Sequence, residues 1–373
     1  MNRIPFLRPS LVAADRYLPL LREIDESHLY SNFSPLNNRF EARVLAEWFG
    51  GAGAVSTVAN ATLGLMLAIR ALARPGARYA LMPSFTFAAT PLSAIWCGLE
   101  PWFVDVDPHT WCMDEEKLAS ALAHLGEEAA VVVPYPAFGT WESLRPYARL
   151  HREGMPVVVD AAPAFGTVKG GIQCGAGFPG AVVYSFHATK AFGIGEGGLV
   201  HSADAALVQK IRQLSNFGFN TGRVPEGDGL NAKISEYTAA IALATLDVFP
   251  DKLRARREVL AFYRAAAARA GLEAGGWAFQ HTEGEVATQI HSVLVPSGVD
   301  ADQVIARLDA AGIEARRYFR PACHQQAHFA GCGRGALPVT EEVSRRVVSL
   351  PFWEGMDEAL VERVVAALAA AVR

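Results

Sequence analysis

Ser185-Phe186-His187-Ala188-Thr189-Lys190, followed by Gly193-Ile194-Gly195-Glu196-Gly197-Gly198, decides the fold of this chain. It follows the apolar run Ala181-Val182-Val183-Tyr184, which reads as a buried strand. Lys190 is a lone cation between that strand and a glycine-rich turn. Partial desolvation there disfavours the ammonium and favours the neutral amine, the nucleophile of Schiff-base chemistry. Upstream, Val157-Val158-Val159-Asp160-Ala161-Ala162 is a second apolar strand ending in one carboxylate. Singly, a lysine after a strand reads as a solvated loop residue, and an Asp at a strand end as a cap or turn former. The pair in this order, with Ser185 and the glycine turn, outweighs both ordinary readings. It suits pyridoxal 5'-phosphate: the acid keeps the pyridinium nitrogen protonated, and the amine carries the aldehyde.

Short apolar strands alternate with helical segments from about residue 40 to 245. The patterns predict helices over 61–73, 88–97, 115–122 and 141–153, with Asp114 as an N-cap. They predict strands over 80–83, 101–106, 129–134, 157–160 and 181–185. This alternation argues for a mostly parallel sheet covered on both faces. Ligands of such sheets sit at the carboxyl ends of the strands, where both Asp160 and Ser185 fall. Beyond residue 245 come a helix over 252–270, strands over 291–295 and 312–315 with a helix at 302–311 between them, and a terminal helix over 360–372. The expected architecture is α/β: a large cofactor-binding domain, 1–245, whose central sheet is sandwiched by helices, and a smaller C-terminal α/β domain, 246–373. Residues 220–229 read as an exposed loop.

Composition sets the outer bounds. The chain has 373 residues, 51% of them hydrophobic, and a mean hydropathy of +0.16, enough for a well-filled core. A charged fraction of 19% leaves little charged surface and is compatible with a buried subunit interface. Net charge is 34 − 38 = −4 with no basic block, which argues against nucleic acid. Cys97, Cys112, Cys174, Cys323 and Cys332 are odd in number and form no C-x-x-C, so reduced thiols in the cytoplasm are expected. A metal site from Cys323, Cys332, His324 and His328 is the weaker reading, and no metal is expected. The N-terminus lacks a signal-peptide core, and no apolar run is long enough to span a bilayer.

The chain resembles the DegT/DnrJ/EryC1/StrS sugar aminotransferases, within the fold-type I pyridoxal-phosphate enzymes. The resemblance rests on Ala59-Asn60-Ala61-Thr62, Pro83-Ser84-Phe85-Thr86-Phe87-Ala88-Ala89-Thr90, Phe103-Val104-Asp105-Val106-Asp107 and Asp160-Ala161-Ala162. It continues through the Ser185–Lys190 stretch, Gly195-Glu196-Gly197-Gly198 and Gly229-Leu230-Asn231-Ala232-Lys233-Ile234-Ser235-Glu236. It closes with Arg317-Tyr318-Phe319, His324 and Leu350-Pro351-Phe352. The resemblance implies a role for each part. Ala61 and Thr62 open a helix whose N-terminus binds the cofactor phosphate, although Thr62 alone reads equally as a cap. Ser185 adds a phosphate hydroxyl, and Phe87 stacks on the pyridine ring. Asp160 holds the pyridinium nitrogen, and Lys190 carries the cofactor and then shuttles the proton. His187 either contacts substrate or is structural. Asn231 either turns its loop or, beside Lys233, reaches into a neighbouring subunit's site, which implies a homodimer with shared active sites. Arg317, Tyr318 and His324 are candidate substrate contacts, in a cluster with Arg316 and Arg320 that otherwise reads as a solvated face. One departure stands out. Where the family has Gln or His after Asp-Ala-Ala to reach the cofactor's phenolic oxygen, this chain has Pro163, which has no donor.

The expected activity is transfer of an amino group from an amino acid, L-glutamate by family analogy, to a nucleotide-linked keto sugar. The cofactor alternates with pyridoxamine 5'-phosphate. Motif likeness favours C4 of a dTDP-4-keto-6-deoxyhexose. The alternatives are a C3 keto sugar, a keto-cyclitol, or a non-catalytic binding homologue. The related dehydratases replace the lysine with histidine, and here Lys190 is present.

Overall fold

The structure is a computed structural model that describes residues 3–372. Its main sheet runs, edge to edge, Ala54–Val58, Gly198–Ser202, Ala181–Ser185, Val158–Asp160, Ala129–Val132, Tyr79–Pro83, Glu100–Val104 and Gly333–Arg334. A parallel bridge between Val132 and Val157 joins its two halves. Gly198–Ser202 runs antiparallel to both its neighbours; the other pairings are parallel. The strands bury alternate residues on opposite faces, as their period of two requires. Val157, Val159, Val182 and Tyr184 enter a core shared with the helices Pro35–Phe49 and Glu236–Arg269. Val158, Ala181, Val183 and Val200 enter a second core with Ala61–Leu72 and Ala205–Leu214. Burial on both faces explains why these strands read as unbroken apolar runs.

The parallel strands end together at Val58, Pro83, Val132, Asp160 and Ser185. Two glycines draw the helix Ala61–Leu72 onto that edge. A methyl group on Gly64 would lie 2.9 Å from Cγ1 of Val183, and one on Gly198 would lie 3.0 Å from the Ala61 amide. The first is closer than real side chains come and the second is tighter than nearly all, so hydrogen at these positions lets the helix N-terminus touch the sheet beside Ser185, the register partner of Gly198.

A third core joins the end of the long helix, from Val259 to Ala267, to Ala301–Ala310 and Glu358–Ala370. These cover the antiparallel strands Ala278–Phe279, His291–Leu294 and Val347–Leu350. The chain passes between cores inside one helix: Leu253 lies in the first and Val259 in this one, so residue 245 falls mid-helix. Ile4 returns from the N-terminus to the same core.

Several elements differ from the sequence expectation. The helix expected over 252–270 begins at Glu236, since its first turns are rich in Ala and Thr and show no apolar stripe. Residues 312–315 form no strand; Ile313 makes a single bridge to Ile4, and Val347–Leu350 takes the place beside His291–Leu294. The helix expected from 141 starts at Arg145, with Pro146 in its first turn. The helices Ala14–Ser27 and Pro35–Phe49 went unread.

Glu236 ties these pieces together. Ser235 caps its own helix by accepting the Thr238 amide at 3.1 Å. The buried Glu236 carboxylate accepts the amides of Leu36 (2.7 Å) and Asn37 (3.0 Å), the first-turn donors of Pro35–Phe49. Glu236→Ala strands both amides, and the expected loss is about 2–3 kcal/mol of stability, read as a lower urea midpoint. An unchanged midpoint would contradict this role.

Candidate active site

The strand ends enclose a cavity of about 630 Å³. Lys190 reaches it from the turn between Ala181–Ser185 and Gly198–Ser202. The amides of Phe186 and Ala188 donate to the carbonyls of Gly197 (2.9 Å) and Gly195 (2.7 Å), and the Lys190 amide donates to the His187 carbonyl (2.8 Å). This folds the lysine back over the sheet edge. Its Nζ donates to Oε1 of Gln289 at 2.8 Å, and Gln289 donates to Thr189 at 3.2 Å. The Gln289 segment is anchored by the buried Arg256, which donates to the Thr288 carbonyl (2.7 Å) and to Glu354 (2.7 Å). Burial lowers the Lys190 pKa to about 8, and the nearby Asp160 charge only partly opposes it. Near neutral pH, a usable fraction of the amine is therefore unprotonated.

Asp160 lies at the base of the cavity, 3% exposed. Its Oδ2 accepts from Thr90 Oγ1 (2.6 Å), and its Oδ1 accepts from the Ala162 amide (3.2 Å). Because the Thr90 proton points at the carboxylate, Thr86 supplies the proton of the Thr86–Thr90 contact (2.8 Å). Burial raises the Asp160 pKa; the Thr90 hydroxyl, the Ala162 amide and the Lys190 charge pull it back. A further cation against this carboxylate would hold it ionised.

Opposite the lysine, Asn60 caps Ala61–Leu72 by accepting the Leu63 amide at 2.9 Å. This leaves the amides of Ala61 and Thr62 at the cavity they line, together with the hydroxyls of Thr62 and Ser185. Such a first turn favours an anion. Phe87 lines the mouth, 57% exposed, with its ring 6.4 Å from that of Phe319. An anion cradle, a buried carboxylate, a depressed lysine and an aromatic face fit pyridoxal 5'-phosphate: Ala61, Thr62 and Ser185 would hold its phosphate, Asp160 its ring nitrogen and Lys190 its aldehyde. When bound, that group supplies an electron sink for the carbon bearing the amine.

His187 and Tyr318 also line the cavity. Nδ1 of His187 accepts the Thr189 amide (3.3 Å), which turns Nε2 toward Glu196 (3.7 Å) at the rim. Three expected contacts lie elsewhere. Arg317 does not line the cavity and donates to the carbonyls of Ser344 (3.0 Å), Arg345 (2.6 Å) and Val347 (3.1 Å), and to Asp302 (2.5 Å). It closes the C-terminus of the helix Pro338–Arg346. His324 is buried, its Nδ1 2.7 Å from Ser84 Oγ and its Nε2 3.4 Å from Glu341. Asn231 is exposed, accepts from Lys233 (2.7 Å) and does not line its own chain's cavity. Sequence reading missed Gln289 and Thr90. Thr90 sits in a quoted motif, but nothing in the spacing of Gln289 links it to Lys190. Among the described residues, no group of three or more His, Cys, Asp or Glu is arranged to hold a metal, and no helix is long and apolar enough to cross a membrane.

Residues 13–369 match the model of the DegT/DnrJ/EryC1/StrS aminotransferase family. Protein Rv3402c of Mycobacterium tuberculosis is 34% identical over 98% of this chain and 89% of its own length. The GDP-perosamine synthase of Caulobacter vibrioides is 30% identical over 83% of each chain. Among solved structures, a candidate PLP-dependent aminotransferase from Bacillus cereus superposes with a TM-score of 0.97 at 49% identity, over 98% of this chain and 100% of that one. DesI, solved with its TDP-sugar product, gives 0.89 at 34% identity, over 100% of this chain and 94% of that one.

Two outcomes are expected from this geometry. When apo-protein is mixed with pyridoxal phosphate, the visible band should form faster as pH rises toward about 8 and then level off, because only the neutral Lys190 amine attacks. A rate flat across that range would contradict a depressed lysine. Thr90→Val removes a charge-assisted donor from Asp160 and should weaken cofactor binding by about tenfold or more in a titration. Unchanged affinity would contradict the Thr90 role.

Proposed function

Because the chain belongs to the DegT/DnrJ/EryC1/StrS aminotransferase family and is a pyridoxal-phosphate-dependent sugar aminotransferase, we propose that it transfers the amino group of L-glutamate to C4 of a dTDP-linked 4-keto-6-deoxyhexose. The observation that carries the reading is the meeting of Lys190, Asp160 and the Ala61–Thr62 turn in one cavity. The walls around the substrate end are Leu7, Phe87, Phe138, Ile290, Tyr318 and Phe319. Apolar and aromatic walls suit the methyl and ring faces of a deoxyhexose better than a fully hydroxylated cyclitol. The DesI structure holds a TDP-sugar product, and the Caulobacter relative is named for a GDP-linked product, so nucleotide-sugar substrates are the natural comparison.

Each residue has a defined task in this reaction. Asp160 would hold the ring nitrogen and favour its protonated form. Ala61, Thr62 and Ser185 would anchor the phosphate at the other end. Lys190, whose pKa burial lowers to about 8, would be the amine that accepts and returns one proton near neutral pH. Gln289 orients it.

The working unit in this proposal is a homodimer in the cytoplasm, where its five free thiols stay reduced. Lys190 is the only lysine or arginine among the described residues that line the cavity. A donor carboxylate and a sugar diphosphate both need more positive charge. Asn231 and Lys233 lie outside their own chain's cavity, on a surface that also exposes Phe217, Val224 and Tyr237. Such apolar exposure beside polar groups suits an isologous interface that brings this segment to the partner's site.

Two experiments test these readings. Purified enzyme supplied with L-glutamate should aminate a dTDP-4-keto-6-deoxyhexose, and should be much slower on the 3-keto isomer or an inosose; the reverse preference would overturn the C4 assignment. Lys190→Ala and Asn231→Ala should each be inactive alone, and their mixed dimers should regain about a quarter of wild-type activity, because half the dimers carry one intact site. No recovery would contradict shared sites.

A further inference from the structure

Pro163 leaves the expected contact to the cofactor's phenolic oxygen without a donor. The cofactor's covalent plan says where a substitute must lie. In the pyridine ring, the nitrogen and the aldehyde-bearing carbon are para. The phenolic oxygen and the phosphate-bearing arm flank the aldehyde on opposite edges. With the nitrogen on Asp160, the aldehyde on Lys190 and the phosphate at Ala61, Thr62 and Ser185, the phenolic oxygen faces the wall opposite that helix.

Tyr135 stands in the cavity wall, buried, on the chain that leaves Ala129–Val132. The Asp160 amide donates to the Pro134 carbonyl at 2.9 Å, so Tyr135 begins beside the acid. Its ring meets Phe319 edge-on at 6.2 Å. Its hydroxyl feels the Phe138 amide and, with opposite effect, the Asp160 charge. Its polar backbone neighbour is the Phe138 amide, a donor, so the hydroxyl proton is left to be given. The other polar side chains of the cavity are committed: Asn60 to its helix, Gln289 to Lys190 and Thr189, and His187 and Glu196 to the rim. Tyr318 is the rival, but it stacks on Phe6 at 5.8 Å and is only half-buried.

We propose that the Tyr135 hydroxyl is the hydrogen-bond donor to the phenolic oxygen of the bound cofactor, in place of the side chain lost at Pro163. The inference rests on the pyridoxal-phosphate reading of the cavity. Tyr135 then acts as a catalytic residue that stabilises the deprotonated phenol oxygen and so lowers the pH at which the cofactor–lysine linkage loses its proton. Burial and the Asp160 charge hold the phenol well above its ordinary pKa, so it remains a donor across the working range.

The test is the pH midpoint of the visible absorption of cofactor-loaded enzyme, a readout independent of turnover. Tyr135→Phe removes only the hydroxyl and keeps the packed ring. It should raise the midpoint by about one pH unit or more, a tenfold shift in the proton equilibrium, and weaken cofactor affinity. Tyr318→Phe should leave the midpoint in place. A Tyr135→Phe midpoint equal to wild type, or a shift seen only in Tyr318→Phe, overturns the proposal. A fall in melting temperature with no midpoint change assigns Tyr135 a purely structural role and also overturns it. If wild-type enzyme develops no visible band with pyridoxal phosphate, the cavity reading itself fails, which distinguishes that failure from this one.

Discussion

The site depends on a buried carboxylate and a partly buried amine placed at the ends of neighbouring parallel strands. Left alone in an apolar base, Asp160 would be driven toward its neutral form. Three partners resist this: the Thr90 hydroxyl, the Ala162 amide and the Lys190 charge. Lys190 experiences the opposite balance, and desolvation wins. The two groups thus sit with their pKa values drawn toward each other, one prepared to hold a cationic ring nitrogen and the other to give up its proton. A fully solvated pair would have neither property.

The sheet makes this pairing possible. Parallel strands deliver their carboxyl ends to one edge, and the helices that cover the faces return the chain each time to the opposite end. Gly198 and Gly64 then let the N-terminus of Ala61–Leu72 press against that edge, so its first residues line the same cavity as the acid and the lysine. From the long helix, Arg256 carries the support for Lys190 through Thr288 and Gln289. The long helix that bears Arg256 also bears Glu236, which fastens the helix Pro35–Phe49. One helix therefore carries both the anchor of Pro35–Phe49 and the support of the segment that holds the Lys190 amine.

Much of this was legible in the sequence because its signals are local. The strand–Asp and strand–Ser–turn–Lys patterns each specify a strand end, and both ends meet in the cavity. Ala61, Thr62, Phe87, Ser185, His187 and Tyr318, expected to meet cofactor or substrate, all line this cavity. Local signals also misled. Arg317 stands among basic and aromatic residues that suggest an anion site, yet its guanidinium is consumed by the carbonyls closing a nearby helix. His324 was grouped with it, but its ring is held by Ser84, which is distant in sequence. Gln289 carries no local mark, because what brings it to the site is a hydrogen bond to Lys190 across the fold. The first turns of Glu236–Arg269 were obscured for another reason: they are buried on several sides, so no polar face marks the helical period.

The central claim is that Lys190 and Asp160 together make this cavity a working pyridoxal-phosphate site. The most direct measurement is the visible spectrum of purified protein loaded with pyridoxal phosphate, before and after addition of L-glutamate, for wild type and Lys190→Ala. The account predicts a yellow band in wild type that fades as the amino group passes to the cofactor, and no such band in Lys190→Ala before donor is added. A wild-type protein that binds no cofactor, or a Lys190→Ala protein that forms the same band, would contradict it.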